Sequence, residues 1–174
     1  FGLVGGSVSA AALLTGLAYR QRPQPGAVSF AALMAGATWW VATSSVGLFT
    51  TDPQWRLALA SLEWLGFAIT PLAWPMFTLE YTSRDEWVSL KTTAVLVVVP
   101  ATTLFLVATN DAHGLVYAAQ QVQVYGDISL VQRSYGPWFW IYTTYAYLLL
   151  AVGTGFLLEL MVGARSVYQG QALA

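Results

Sequence analysis

Charged side chains in this sequence stand almost only between long apolar runs. A membrane span needs about 20 mostly apolar residues, and five runs of about that length are present: 1–19, 27–49, 56–80, 92–109 and 137–162. The first closes on Arg20 and Arg22, followed by Pro23 and Pro25, and the second on Asp52-Pro53. The third is interrupted only by Glu63. Lipid offers no water to unpaired backbone groups, so only helices and closed barrels cross it. Runs this long, without alternation, read as helices. The expected fold is therefore all-α, a polytopic transmembrane bundle of about five spans. Composition agrees: 9% of residues are charged, against roughly a quarter in soluble domains. Hydrophobic residues reach 57% and mean hydropathy is +0.60, too little polar surface to cover a core in water.

Residues 1–174 read as one transmembrane, sensor-like domain, cut inside its first helix and shortly after its last. The opening Phe1-Gly2-Leu3 is already apolar and lacks the basic leader of a signal peptide. Pro137 suits the first turn of a helix, where its missing N–H costs nothing, whereas Pro71 and Pro75 are expected to kink the third span. Pairs such as Gly2 and Gly6, or Ala12 and Gly16, permit close helix approach. The linkers 20–26 and 81–91, with the tail after 163, carry Arg20, Arg22, Arg84, Lys91 and Arg165, while the other side carries Arg56 and Arg133. The positive-inside rule then places the N-terminus outside and the C-terminus in the cytoplasm of a multi-pass cell-membrane protein.

The long linker 110–136 is extracellular in that orientation. Val122-Gln123-Val124-Tyr125 alternates apolar and polar, Gly126-Asp127 can turn, and Ile128-Ser129-Leu130-Val131 follows. This pattern predicts a two-stranded hairpin over the outer mouth, with an irregular loop as the alternative. A lone hairpin is marginal in water and has to pack on something.

Much chemistry is excluded. Net charge is −1, which gives no reason to expect a nucleic-acid partner. The absence of cysteine removes disulfides and thiolate metal sites. His113 is the single histidine and lies in the outer linker; Lys91, the single lysine, sits at a helix end. Asp52, Asp85, Asp111 and Asp127 all fall in linkers, and no Gly-rich phosphate loop is present. No catalytic residues, metal site or cofactor are expected, and the chain is not an enzyme by itself.

The candidate site is a polar-aromatic cluster. Counting inward at about 1.5 Å per residue, Trp39 and Trp40 on the second span, Glu63 and Trp64 on the third, and Tyr142 and Tyr145 on the fifth lie at similar depth. A carboxylate in lipid is costly and faces the bundle interior. Glu63 is therefore expected to point inward, protonated, where tyrosine or serine hydroxyls satisfy it. Two readings stay open: a hydrogen-bond network that pins the helices, or a pocket for a ligand or a proton. Glu80 and Glu159 read as interfacial, and Trp55, Trp87 and Trp138 as aromatic-belt residues. His113 reads as a loop hydrogen-bonder, with pH sensing as the alternative, since histidine changes charge near neutral pH.

Several stretches then line up. Glu80-Tyr81-Thr82-Ser83-Arg84 closes the third span. Thr109-Asn110 and His113-Gly114-Leu115-Val116-Tyr117 open the outer linker. Tyr135-Gly136-Pro137-Trp138-Phe139-Trp140 leads into a helix carrying Tyr145 and Tyr147, and Tyr168-Gln169-Gly170-Gln171 follows it. In this order and spacing they resemble the seven-helix N-terminal sensor region of microbial, especially haloarchaeal, histidine kinases. The resemblance implies an archaeal signal-transduction protein of the two-component kind. It also implies two further helices after residue 174, then cytoplasmic PAS and kinase modules, or another output domain, on the same chain. A homodimer in the lipid bilayer is the expected assembly. His113, being outside, is not the phospho-accepting histidine. Many members carry a second histidine in this motif, where this chain has Gly114, which weakens a metal-binding version. The competing functions are a transporter or channel segment, for which Pro71 and Pro75 give one broken helix without an inverted-repeat partner, and an assembly subunit.

Overall fold

The structure, a computed structural model, describes Leu13, residues 15–17 and residues 24–172, with side chains through residue 163. Apart from those four early positions, the expected span 1–19 and its small-residue pairs lie outside the described residues. Helix α1 spans Ala27–Leu48, α2 Pro53–Tyr81, α3 Leu90–Ala108 and α4 Pro137–Ala172. Strands β1 (Tyr117–Tyr125) and β2 (Ile128–Tyr135) separate α3 from α4. Among the described residues, four helices are long and apolar enough to cross a membrane.

Local chemistry sets the helix starts. The Asp52 carboxylate accepts from Gln54 N at 2.9 Å and Trp55 N at 3.1 Å, with Pro53 in the first position of α2. Ser89 caps α3 by accepting from Thr92 N at 3.1 Å. Both satisfy amides that a helix N-terminus leaves unpaired. Helix α4 has 36 residues, which at 1.5 Å per residue is about 54 Å and exceeds a hydrocarbon core of about 30 Å.

Helix α2 is the hub, packing along α1 and against both α3 and α4. A Cβ on Gly66 would lie 2.6 Å from the Gly36 carbonyl oxygen and 2.8 Å from Trp40 Cβ. The α1–α2 crossing is therefore closed to any larger residue there, the close approach that small residues permit in membranes.

Helix α2 continues through Pro71 and Pro75, and α3 through Pro100. A proline in a helix deprives the carbonyl four residues earlier of its donor. Pro71 so frees the Phe67 carbonyl, and Pro100 that of Leu96. The hydroxyl of Tyr142 donates to Phe67 O at 2.5 Å and that of Tyr145 to Leu96 O at 2.6 Å. Helix α4 thus supplies the donors that Pro71 and Pro100 remove.

The linker folds as the expected hairpin, with strands that start earlier and end later than the alternating segments alone. Gly126 turns it at φ +61°, a conformation that costs glycine little. Pairing sets Gln120 opposite Arg133, Val122 opposite Val131 and Val124 opposite Ser129, after an irregularity between Tyr117 and Ala119. Period two puts Ser129, Val131 and Arg133 on one face. That face turns to the bundle: buried Ser129 donates to Thr50 O at 2.6 Å, with Gly47 O at 3.1 Å. The main buried cluster, Trp64, Val107, Val116, Tyr117 and Tyr142, lies where the hairpin base meets α2, α3 and α4.

Candidate functional site

Arg56 stands near the start of α2 and Glu63 two turns further along, seven residues apart and so on the same helix face. Arg56 Nη1 donates to Glu63 Oε1 at 3.4 Å. From β2, Arg133 brings Nη2 to 3.9 Å from Glu63 Oε2, within ion-pair range but beyond a hydrogen bond. The side chains of Arg56, Glu63 and Arg133 retain 9%, 8% and 16% of their surface. One carboxylate therefore sits between two buried guanidinium groups.

The expected partners of Glu63 are thereby corrected. Among the described residues, no tyrosine or serine hydroxyl satisfies it. Two arginines do, one of them 70 positions away on the hairpin. Hydration of a charge is too favourable to lose unless an opposite charge replaces it, and Arg56 and Arg133 are the only charges within ion-pair range among the described residues. The backbone makes room: a Cβ on Gly47 would fall 2.7 Å from Arg56 Nη1.

Aromatic rings wall this cluster. Trp64 Nε1 donates to the Tyr117 hydroxyl at 2.6 Å, and the Arg133 guanidinium lies 4.9 Å from the Tyr117 ring centre. Burial pushes the Tyr117 hydroxyl above the usual tyrosine range; Arg133 and the Trp64 donor act in the opposite direction. Trp64 meets Tyr142 edge-on at 5.3 Å and Phe67 at 5.7 Å, arrangements that ring quadrupoles favour.

Of the predicted cluster, Glu63, Trp64 and Tyr142 pack around this seat. Tyr142 and Tyr145 spend their hydroxyls on proline-freed carbonyls. Trp39 and Trp40 stand aside, both partly exposed on the α1 flank. Trp39 Nε1 donates to Leu62 O at 2.8 Å, and Trp40 packs on Phe67 at 4.9 Å. His113 is a turn residue. Its Nδ1 accepts from Leu115 N at 3.0 Å, which leaves Nε2 to donate to Thr109 Oγ1 at 3.1 Å.

Sequence reasoning missed Arg56, Arg133, Tyr117 and Asn110 as members of one constellation. Asn110 Oδ1 accepts from Val116 N and Tyr117 N, each at 3.0 Å, and Nδ2 donates to Tyr117 O at 2.9 Å. It ties the end of α3 to the hairpin base. A cavity of about 470 Å³ opens there, lined in part by Leu57, Asn110, His113 and Gln120; the polar atoms of Asn110 and His113 are already committed. The seven-residue spacing of Arg56 and Glu63 was legible beforehand, and the two-residue period through Arg133 was a second signal.

From this seat α2 and α4 are tied at successive depths: Tyr142 to Phe67, then Trp74 Nε1 to Leu150 O at 3.2 Å, then Arg84 to Glu159 at 2.8 Å. Arg84 also lies 4.9 Å from the Phe156 ring centre. The hairpin seat and the far end of the bundle share one pair of helices.

One family matches in sequence, the N-terminal 7TM region of histidine kinase, over residues 3–174. No curated protein and no solved structure matches the chain.

Proposed function

Because the chain belongs to the family of the N-terminal seven-transmembrane region of histidine kinases, it is a membrane signal-input module, and we propose that its input is read at the hairpin seat. The observation that carries this reading is Glu63 held between Arg56 of its own helix and Arg133 of the hairpin. The hairpin is thus latched by charge to the helix that also touches α1, α3 and α4. A stimulus that lifts or tightens it changes the neutralisation of Glu63, and the α2–α4 ties carry the difference to the other end of the membrane. The same cluster fixes the fold, so the structural and the sensing role of Glu63 are one.

The hairpin faces the outside in this reading, with the N-terminus out and the C-terminus cytoplasmic. Support comes from Arg84 and Lys91 at the far end, together with Arg20, Arg22 and Arg165 in sequence. Arg56 and Arg133 oppose that bias weakly, being committed to Glu63 rather than free in a loop. Further parts of the proposal are an archaeal origin, a lipid bilayer as solvent, and a kinase or other output domain downstream on the same chain. A homodimer through which output is passed completes it. The family match supports the sensor reading over a transporter or channel segment.

The test is a chimera joining the chain to a reporter kinase. The sequence lacks cysteine, so Ser129→Cys with Thr50→Cys places the sole thiols where the hairpin meets α1. Oxidation to a disulfide locks the seat, whereas Arg133→Gln loosens it. Basal kinase output should move in opposite directions in the two, with reductant reversing the lock. Equal output from the parent, locked and loosened chimeras would retire the reading.

A further inference from the structure

The seat holds two guanidinium groups against one carboxylate, and its hydrogen-bonding capacity is unevenly used. Among the described residues, Glu63 receives one donor, Arg56 Nη1, at the long limit of 3.4 Å. Among the described residues, Arg56 Nε, Arg133 Nε and Arg133 Nη2 are buried without a hydrogen-bond partner. An arginine offers five N–H donors in a fixed fork and no acceptor. Three buried nitrogens of two neighbouring guanidiniums therefore want acceptors that the described residues do not furnish there.

Charge says the same. Glu63 is the only carboxylate within 4.0 Å of either arginine among the described residues, so the cluster carries a net charge of +1. A buried excess charge is costly unless paired and hydrogen-bonded. The aromatic face of Tyr117 under Arg133 offsets part of the cost, yet it accepts no N–H from the fork edge. Two buried hairpin hydroxyls are already engaged. Ser129 is engaged with Gly47 and Thr50, and Tyr117 already receives Trp64 Nε1.

We infer that the Arg56–Glu63–Arg133 seat binds a small monovalent anion, a halide or the carboxylate of a small acid, as its second negative charge. Guanidinium donors suit such ligands, since charge-assisted hydrogen bonds are the strong ones. The approach is from the hairpin side, where the Arg133 side chain keeps 16% of its surface accessible. The anion and Glu63 share the two guanidiniums and repel each other, so the ligand is held more weakly than by a pair of free arginines. Occupancy then depends on concentration outside the cell, as a sensor requires. Anion binding and hairpin closure are linked: only the seated hairpin presents Arg133 beside Arg56.

This inference deepens the proposed function, since it names the ligand class of the same seat, but it is read by binding and not by kinase output. The purified chain in uncharged detergent is titrated with sodium chloride or, in a second arm, sodium acetate. Sodium methanesulfonate holds ionic strength constant. Melting temperature should rise saturably, and chloride-35 resonance should broaden in a way that excess acetate reverses if both anions share the site. Which anion saturates at lower concentration separates halide from carboxylate. Arg133→Gln should abolish the saturable response, while Arg84→Gln, at the other end of the bundle, should keep it. Glu63→Gln should tighten the apparent affinity by about tenfold or more, because a unit charge a few ångström away is worth at least that near a protein surface. Should a variant not fold, the resonance measurement on the parent chain still decides. A flat response from the parent, or one that survives Arg133→Gln, overturns the anion site; with hairpin-dependent kinase output intact, the seat itself would stand.

Discussion

Tyr142 is expected to matter because of Pro71, and a double-mutant cycle tests that dependence. Pro71 leaves the Phe67 carbonyl without its helical donor, and the Tyr142 hydroxyl fills the place at 2.5 Å. Tyr142→Phe keeps the ring, and with it the edge contact to Trp64, but strips the donor. Leaving a buried acceptor unsatisfied costs about 1–3 kcal/mol. Interhelical hydrogen bonds in membranes average about 0.6 kcal/mol and reach about 1.7 kcal/mol in cycles. For this partly buried bond between α2 and α4, about 1 kcal/mol is expected. Pro71→Ala returns an N–H to position 71, and Phe67 regains its own helical donor. Tyr142→Phe on the Pro71→Ala background should then cost much less, giving a coupling energy of about 1 kcal/mol, which such cycles isolate from the single effects. The assay is reversible unfolding in mixed micelles, followed by tryptophan fluorescence. Tyr145→Phe with Pro100→Ala is the parallel cycle, through Leu96 O. An equal cost of Tyr142→Phe with and without Pro71 would refute the reasoning.

Three further outcomes are expected. Asn110→Ala removes three hydrogen bonds and leaves the Val116 and Tyr117 amides buried without acceptors, a loss of about 2–4 kcal/mol; amide exchange at Val116 and Tyr117 should quicken before that in α2, and unchanged exchange would deny the anchor. Burial raises the Tyr117 pKa above its ordinary 10.0, so the folded state holds this proton longer than the unfolded one. The resulting stability is full below pH about 10 and is lost as pH climbs through the folded value; Tyr117→Phe should remove that alkaline component from the melting profile. For orientation, Asp127→Cys should react with an impermeant maleimide on intact cells and Glu86→Cys should not, the reverse pattern inverting the topology. Ser129, at the same hairpin, is unsuited as a reporter because it is fully buried.

The linker shows how far local pattern carries. Val122-Gln123-Val124-Tyr125 and Ile128-Ser129-Leu130-Val131 alternate, and a glycine stands between them, so strand and turn were both legible. The pattern could not say which face turns inward, because both faces mix apolar and polar residues. Gln120 and Arg133 pair on the same face as Val122 and Val131, and the contacts of Ser129 and Arg133 with the bundle settle that this face turns inward. Counting along the spans set Tyr142 and Tyr145 at a depth similar to that of Glu63 and Trp64. Their hydroxyls went to proline-freed carbonyls because helix rotation set them against α2 and α3, and rotation cannot be counted from one sequence of nearly uniform hydropathy.

What the sequence determined by itself is the class of solvent and the helices that meet it. Hydropathy adds up over a local window, so runs of about 20 apolar residues declare spans without reference to anything distant. The caps formed by Asp52 and Ser89 are equally local, each satisfied within three residues. The tertiary structure alone decided what neutralises Glu63. Its partners sit on the same helix two turns back and on a strand 70 positions on, and electrostatic energy falls with distance in space, not along the chain. Only the folded hairpin sets Arg133 beside Arg56, and only then does a lone carboxylate in a membrane span become the centre of a charged seat.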